Sequence, residues 1–189
     1  AEDTTVRRSQ IIGNPTNTNT SVYGGRRFPD VVANLRIDQA WGSAQVMGAI
    51  HDVYANNTGA NTTVSDTGFA IGAGLRINLP MIGAGDYIIG QFNYSEGATN
   101  YVISQAGVGG AVANLAEGNP NTTGVTHTAY GYVTDAVVTG AGSMDLTKAW
   151  SVTGGFDHRW NPQWKTSLWG SYGKLSYSTA ASAVIAAIA

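Results

Sequence analysis

Cysteine is absent from the 189 residues, which excludes disulfides, thiol catalysis and cysteine-ligated metals. Charge is scarce too: Asp, Glu, Lys and Arg make up 12% of the chain, against the roughly 25% usual in soluble domains. The formal net charge is -2, and beyond the pairs Arg7–Arg8 and Arg26–Arg27 there is no basic cluster, so no nucleic-acid partner is expected. No apolar run reaches the roughly 18 residues that a membrane helix needs; the nearest, 179–189, is too short. The chain opens on Ala-Glu-Asp, not on a signal peptide, as a mature or truncated chain would. His-Glu-x-x-His, Gly-x-Ser-x-Gly, phosphate-loop and Gly-x-Gly-x-x-Gly patterns are all missing. The adjacent pairs His51–Asp52 and Asp157–His158 would point to opposite faces of a strand, so they form no triad arm. Neither an enzyme nor a resident metal or cofactor is expected.

What the sequence does have is period two. Val31, Ala33, Leu35 and Ile37 alternate with Val32, Asn34, Arg36 and Asp38. After a break at 40–43, Ala44, Val46, Gly48 and Ile50 alternate with Gln45, Met47, Ala49 and His51. The design returns over 67–94, where Phe69, Ile71, Ala73, Leu75 and Ile77 oppose Gly72, Gly74, Arg76 and Asn78, and again over 144–177. There Trp150, Val152, Gly154 and Phe156 oppose Ser151, Thr153, Asp157 and Arg159, and Leu168 and Tyr172 oppose Lys165, Ser167 and Trp169. Trp169 is the misfit, an indole on a polar face. One such hairpin would suit any half-buried antiparallel sheet. Repeated strands of roughly 9–11 residues in a charge-poor chain predict a transmembrane antiparallel β-barrel instead.

The connections support that expectation. Those at 40–43, 79–85 and 161–163 are short, whereas 4–29 and 55–66 are long and polar, the asymmetry of outer-membrane barrels. Trp41 lies in the first short turn, and Trp160 and Trp164 flank the third, matching an aromatic girdle at the membrane boundary. The strand ending near Tyr94 and the one ending near Trp160 run in opposite directions, so 95–143 must hold zero or two crossings. This stretch is either an extra strand pair or one long loop, and Gly107, Gly109 and Gly110 favour the loop.

The segments GRRFPDVVANLRIDQAWGSAQVMGAIHDVY (25–54) and LTKAWSVTGGFDHRWNPQWKTSLWGSYGKLSYS (146–178) resemble the porins of alphaproteobacteria of the rhizobial and Brucella type, most specifically in the turns DQAWGSAQ and WNPQWKTS. The resemblance covers about residues 1–178; the tail from 179 departs from it. It implies general-diffusion channels of about sixteen strands, assembled as homotrimers in the Gram-negative outer membrane, with one long loop folded into the pore. It also implies that this chain is part of a single barrel domain, holding six to eight of those strands.

In such a barrel the polar faces line a lumen wet by small hydrophilic solutes, and lipid and lipopolysaccharide surround the outside. The pore-lining candidates are then Asn34, Arg36, Asp38, His51, Arg76, Asn78, Asp157, Arg159 and Lys165. Glu96, Glu117 and Asp135 are the acids of the long segment, and facing Arg36 and Arg76 they would set a transverse field. The bland alternative is that the inward charges pair with one another. Two other classes compete: a small closed barrel serving as an anchor, and a secreted β-protein, which would show a fixed repeat that is not visible.

Overall fold

The computed structural model describes residues 10–13, 22, 24–25, 27–57, 62–103, 113–115, 129–131, 133–139 and 142–188. In chain order the strands are β1 (Gln10–Ile12), β2 (Val31–Gln39), β3 (Gly42–Asn57), β4 (Thr62–Asn78), β5 (Tyr87–Glu96), β6 (Ala113–Leu115), β7 (Ala129–Gly131), β8 (Thr134–Val138), β9 (Met144–Leu146), β10 (Lys148–Arg159) and β11 (Lys165–Ser176), followed by helix α1 (Thr179–Ile188). Six of them form one antiparallel sheet in the order β11-β10-β5-β4-β3-β2. It is an open stretch of β-barrel wall, with β2 and β11 at its edges among the described residues.

Register carries the alternating pattern across the whole sheet. Val46 sits beside Ala73, Ala73 beside Phe92, Phe92 beside Val152 and Val152 beside Tyr172, so the apolar positions of five strands fall on one face. No described protein layer covers that face: Leu35 is 66% exposed, Val46 55% and Leu168 70%. A continuous apolar surface of this extent marks a face that meets lipid or another protein. The three short turns all lie at one end of the sheet. At the first, Gly42 has φ 144°, and a Cβ there would run into the backbone carbonyl of Arg76, so only glycine fits.

Two features differ from the sequence reading. The expected loop 55–66 is mostly strand, because β3 continues to Asn57 and β4 begins at Thr62. Asn and Thr are tolerated there because Val53 and Ala55 of β3 and Val64 of β4 are covered from the polar side by Ile11, Ala136 and Val138, and that burial sustains the extended hairpin. Trp169, a misfit by pattern, is opposite Gly155, where a Cβ would come within 2.5 Å of the indole carbons. The ring lies over the bare glycine backbone and takes the place of its missing side chain.

β5 pairs directly with β10, from Glu96–Lys148 to Tyr87–Asp157. The chain between them leaves and re-enters at one end, and its parts at 98–101, 134–138 and 144–146 fold over the polar face. Gly97 donates its N–H to the Thr147 carbonyl (2.9 Å), Ala98 packs on Ala49 and Ala70, and Thr99–Tyr101 forms a 3-10 turn. β8 is buried throughout, paired in parallel with β1 and antiparallel with β9. Ile11, Ala136 and Val138 of this small sheet face the wall, while Ile12 and Val137 face Ala181 and Val184 of α1. Ser178 caps the helix, accepting the Ala181 N–H (3.0 Å) and donating to Asp145 (2.6 Å).

Two substitutions at neighbouring positions of the wall test its two faces. Val46→Arg, on the apolar face, is expected to cost about 2–4 kcal/mol near the bilayer midplane, and Asn34→Arg, on the polar face, within about 0.5 kcal/mol. Urea unfolding in lipid vesicles measures both.

Candidate functional site

The polar face carries its ionisable groups in two zones. Near the short turns, Arg36 grips Asp38 two residues along the same strand (Nη2 to Oδ1 2.7 Å, Nε to Oδ2 2.9 Å), and both are exposed. Across the sheet, Asp157 is buried and accepts hydrogen bonds from the Tyr87 hydroxyl (2.5 Å) and the Lys165 ammonium (3.0 Å). Asp157 therefore lies on the inward row without being wet, and its partner is Lys165, not Arg159. Asn78 donates to the Ala40 carbonyl (3.2 Å) and closes the first turn. Trp41, Trp160 and Trp164 stand exposed at this end, with Trp160 donating to Thr166 (2.9 Å).

Arg76 is placed differently. Its guanidinium carbon stands 4.0 Å from the centre of the Tyr87 ring, and no carboxylate lies within ion-pair distance of it among the described residues. The ring face attracts the cation and holds it in place without neutralising its charge.

Arg159 contributes through its backbone. Its N–H donates to Asp86 (2.8 Å), a buried carboxylate in the second short turn that also meets His158 Nδ1 at 2.5 Å. The Arg159 N–H, with His158 beside it, holds Asp86 below the usual carboxylate range.

The second zone lies where the inserted segment meets the wall. His51 is fully buried, so it does not line water as its position in the alternation suggested. Its Nδ1 is 2.8 Å from Asp30, and its Nε2 is 3.6 Å from Asp135 on β8. The Tyr101 hydroxyl donates to the other Asp30 oxygen (2.7 Å), and the Thr99 N–H and hydroxyl donate to Asp135 (2.7 and 2.9 Å). A single imidazole thus bridges two carboxylates, one on the wall and one on the insert. Nearby, the Arg27 guanidinium binds the buried Asp52, with Nε at 3.1 Å.

These positions correct the expected row of loop acids. Asp135 is buried against His51 and Thr99, away from Arg36 and Arg76. Glu96 ends β5 beside Phe69 on the apolar row, accepts the Tyr94 hydroxyl (2.7 Å) and pairs with Lys148 (3.1 Å). Glu117 lies outside the described residues. Asp30, Thr99, Tyr101 and Asp86 were not candidates; parity would have put Asp30 on the polar face with Arg36, but no sequence signal joins it to residue 101. Among the described residues no cluster of three or more ligating side chains could hold a metal ion.

A strand wall with an uncovered apolar face, a charged opposite face and a segment folded against that charged side is the architecture of a membrane β-barrel channel. Residues 2–189 match the family described as the Porin subfamily, and the chain belongs to it. It is an outer-membrane porin. Neither the curated proteins nor the solved structures compared with it gave a match.

Two outcomes follow from the bridges. His51→Leu leaves the buried Asp30 and Asp135 without their shared partner and is expected to cost about 3–5 kcal/mol, read as faster hydrogen exchange at the Thr99 and Asp135 amides. For Asp86, whose folded value is depressed, the stabilisation is complete above the unfolded carboxylate value of about 3.9 and is lost as pH falls through the lower folded value. Melting of Asp86→Asn in detergent should therefore depend less on pH than the wild type does below about pH 4.

Proposed function

We propose that the protein is a general-diffusion porin of the alphaproteobacterial, rhizobial and Brucella kind: a non-enzymatic, water-filled channel through which small hydrophilic solutes and ions pass passively. It works as a homotrimer, embedded in outer-membrane lipid and lipopolysaccharide. The observation that carries this reading is the division of the same six strands into an uncovered apolar face and a face bearing exposed Asn34, Arg36, Asp38, Arg76, Arg159 and Lys165. A plugged anchor would bury such groups among one another; here Arg36 is 55% exposed.

The segment between β5 and β10 narrows the lumen. In support, its turn Thr99–Tyr101 lies over the polar face and is tied to Asp30 and His51 through Tyr101 and Asp135. Arg36 and Arg76 set the ion preference, Arg36 tempered by Asp38 and Arg76 without a carboxylate partner among the described residues.

Reconstitution in planar bilayers tests the reading. Stepwise conductance is expected, and Arg36→Ala and Arg76→Ala should each move the reversal potential toward cation preference. Absence of any conductance overturns the channel, and unchanged selectivity in both variants overturns the role given to the arginines.

A further inference from the structure

The lumen-side wall contains a dent whose shape the channel reading leaves unused. Gly74 is paired between Gln45 of β3 and Gln91 of β5, and with no side chain there the wall opens into a cleft of 330 Å³, roughly ten water volumes. One residue pair nearer the short turns stands Arg76, its guanidinium over the ring of Tyr87, whose hydroxyl is in turn tied to Asp157. On the same face Met47 and Ile89 supply apolar sides, and Arg36, paired with Asp38, closes the far corner.

From this juxtaposition we infer that the cleft at Gly74 is a binding site for small organic carboxylates, with Arg76 holding the carboxylate and Met47 and Ile89 flanking a short hydrocarbon body. A guanidinium held over a ring, with no carboxylate in ion-pair distance among the described residues, can receive a carboxylate in fork geometry. Charge alone would recognise chloride or phosphate as well. The apolar sides select anions that carry carbon, because burying methylene groups there removes them from water. Gln45 and Gln91 offer carboxamides at the rim, although Gln91 already donates to Asn93 (3.0 Å). Exposed pairing of this kind is weak, so the site retards passage without blocking it. The inference rests on the porin reading for its access to water.

Butyrate is the probe. The full chain in planar bilayers is titrated with sodium butyrate against sodium chloride at constant ionic strength, and the same protein in detergent is titrated by saturation-transfer NMR. Current should fall to a plateau as butyrate rises, with the NMR signal saturating over the same range. Arg76→Gln should weaken both by about three- to fivefold. Gly74→Leu should do the same while keeping every charge; a Cβ there meets nothing closer than the Gly90 carbonyl at 3.8 Å, so the side chain enters the cleft without forcing the backbone.

Wild-type affinity in Gly74→Leu would overturn the shaped site. So would phosphate depressing the current as strongly as butyrate, since that marks bare charge recognition. Current that ignores butyrate, with a flat NMR titration, defeats the site and spares the channel. Saturable NMR binding without any current defeats the channel and spares the site.

Discussion

Hydrocarbon offers no hydrogen bonds, so every backbone N–H and C=O that enters it must find its partner within the protein. For a chain without a long apolar run, paired strands are the remaining solution. That constraint orders much of what is seen here. It makes the ladders of β2 to β5, β10 and β11 continuous, and it turns each strand into a boundary between two solvents. A side chain's parity then decides its surroundings more than its own polarity does. Gly90, Gly154 and Gly170 fall in one register row on the apolar face, where a soluble sheet would need bulk to fill a core. Against lipid tails, small residues leave no cavity that the bilayer cannot fill.

The polar side follows a different logic. Water in a lumen can solvate the exposed Arg36–Asp38 pair, and such a pair contributes little to stability. The groups that hold the inserted segment are dry, and there a missing partner is expensive. Asp30, His51, the turn Thr99–Tyr101 and Asp135 come from separate parts of the chain, and they meet only when the segment is seated in one position. Their value lies in specificity: the apolar contacts of Ala98 on Ala49 and Ala70 could slide, whereas hydrogen-bonded carboxylates could not.

Alternation made the sheet legible. The rows through Leu35, Val46, Phe92 and Val152 can be assigned to one face by counting residues, and the turn at Gly42 by its Ala-Trp-Gly-Ser sequence. On the polar face, placement was legible only where parity suffices, as for the exposed Arg36, Arg76 and Lys165. His51 shows the limit. Its parity is right, but whether an inward residue is wet depends on what folds over it, and the covering residues lie about 50 to 85 positions away with no periodicity to announce them. The same holds for the long β3–β4 hairpin, whose Asn- and Thr-rich tip reads as loop until the strands of the insert bury its inner face. Trp169 was a misfit because the glycine it covers lies on the neighbouring strand, 14 residues earlier.

The direct pairing of β5 with β10 has a consequence for assembly. Strands β2 to β5 can zip from hairpin to hairpin, each step closing a short loop at small entropic cost. The next step cannot: Glu96 must find Lys148 across the whole intervening segment. That closure is slower and, until it occurs, leaves the edge of β5 unpaired and open to misdocking with another chain. The hydrogen bond from Gly97 to Thr147 closes the same loop one residue further in, so it secures the junction once β5 and β10 have met.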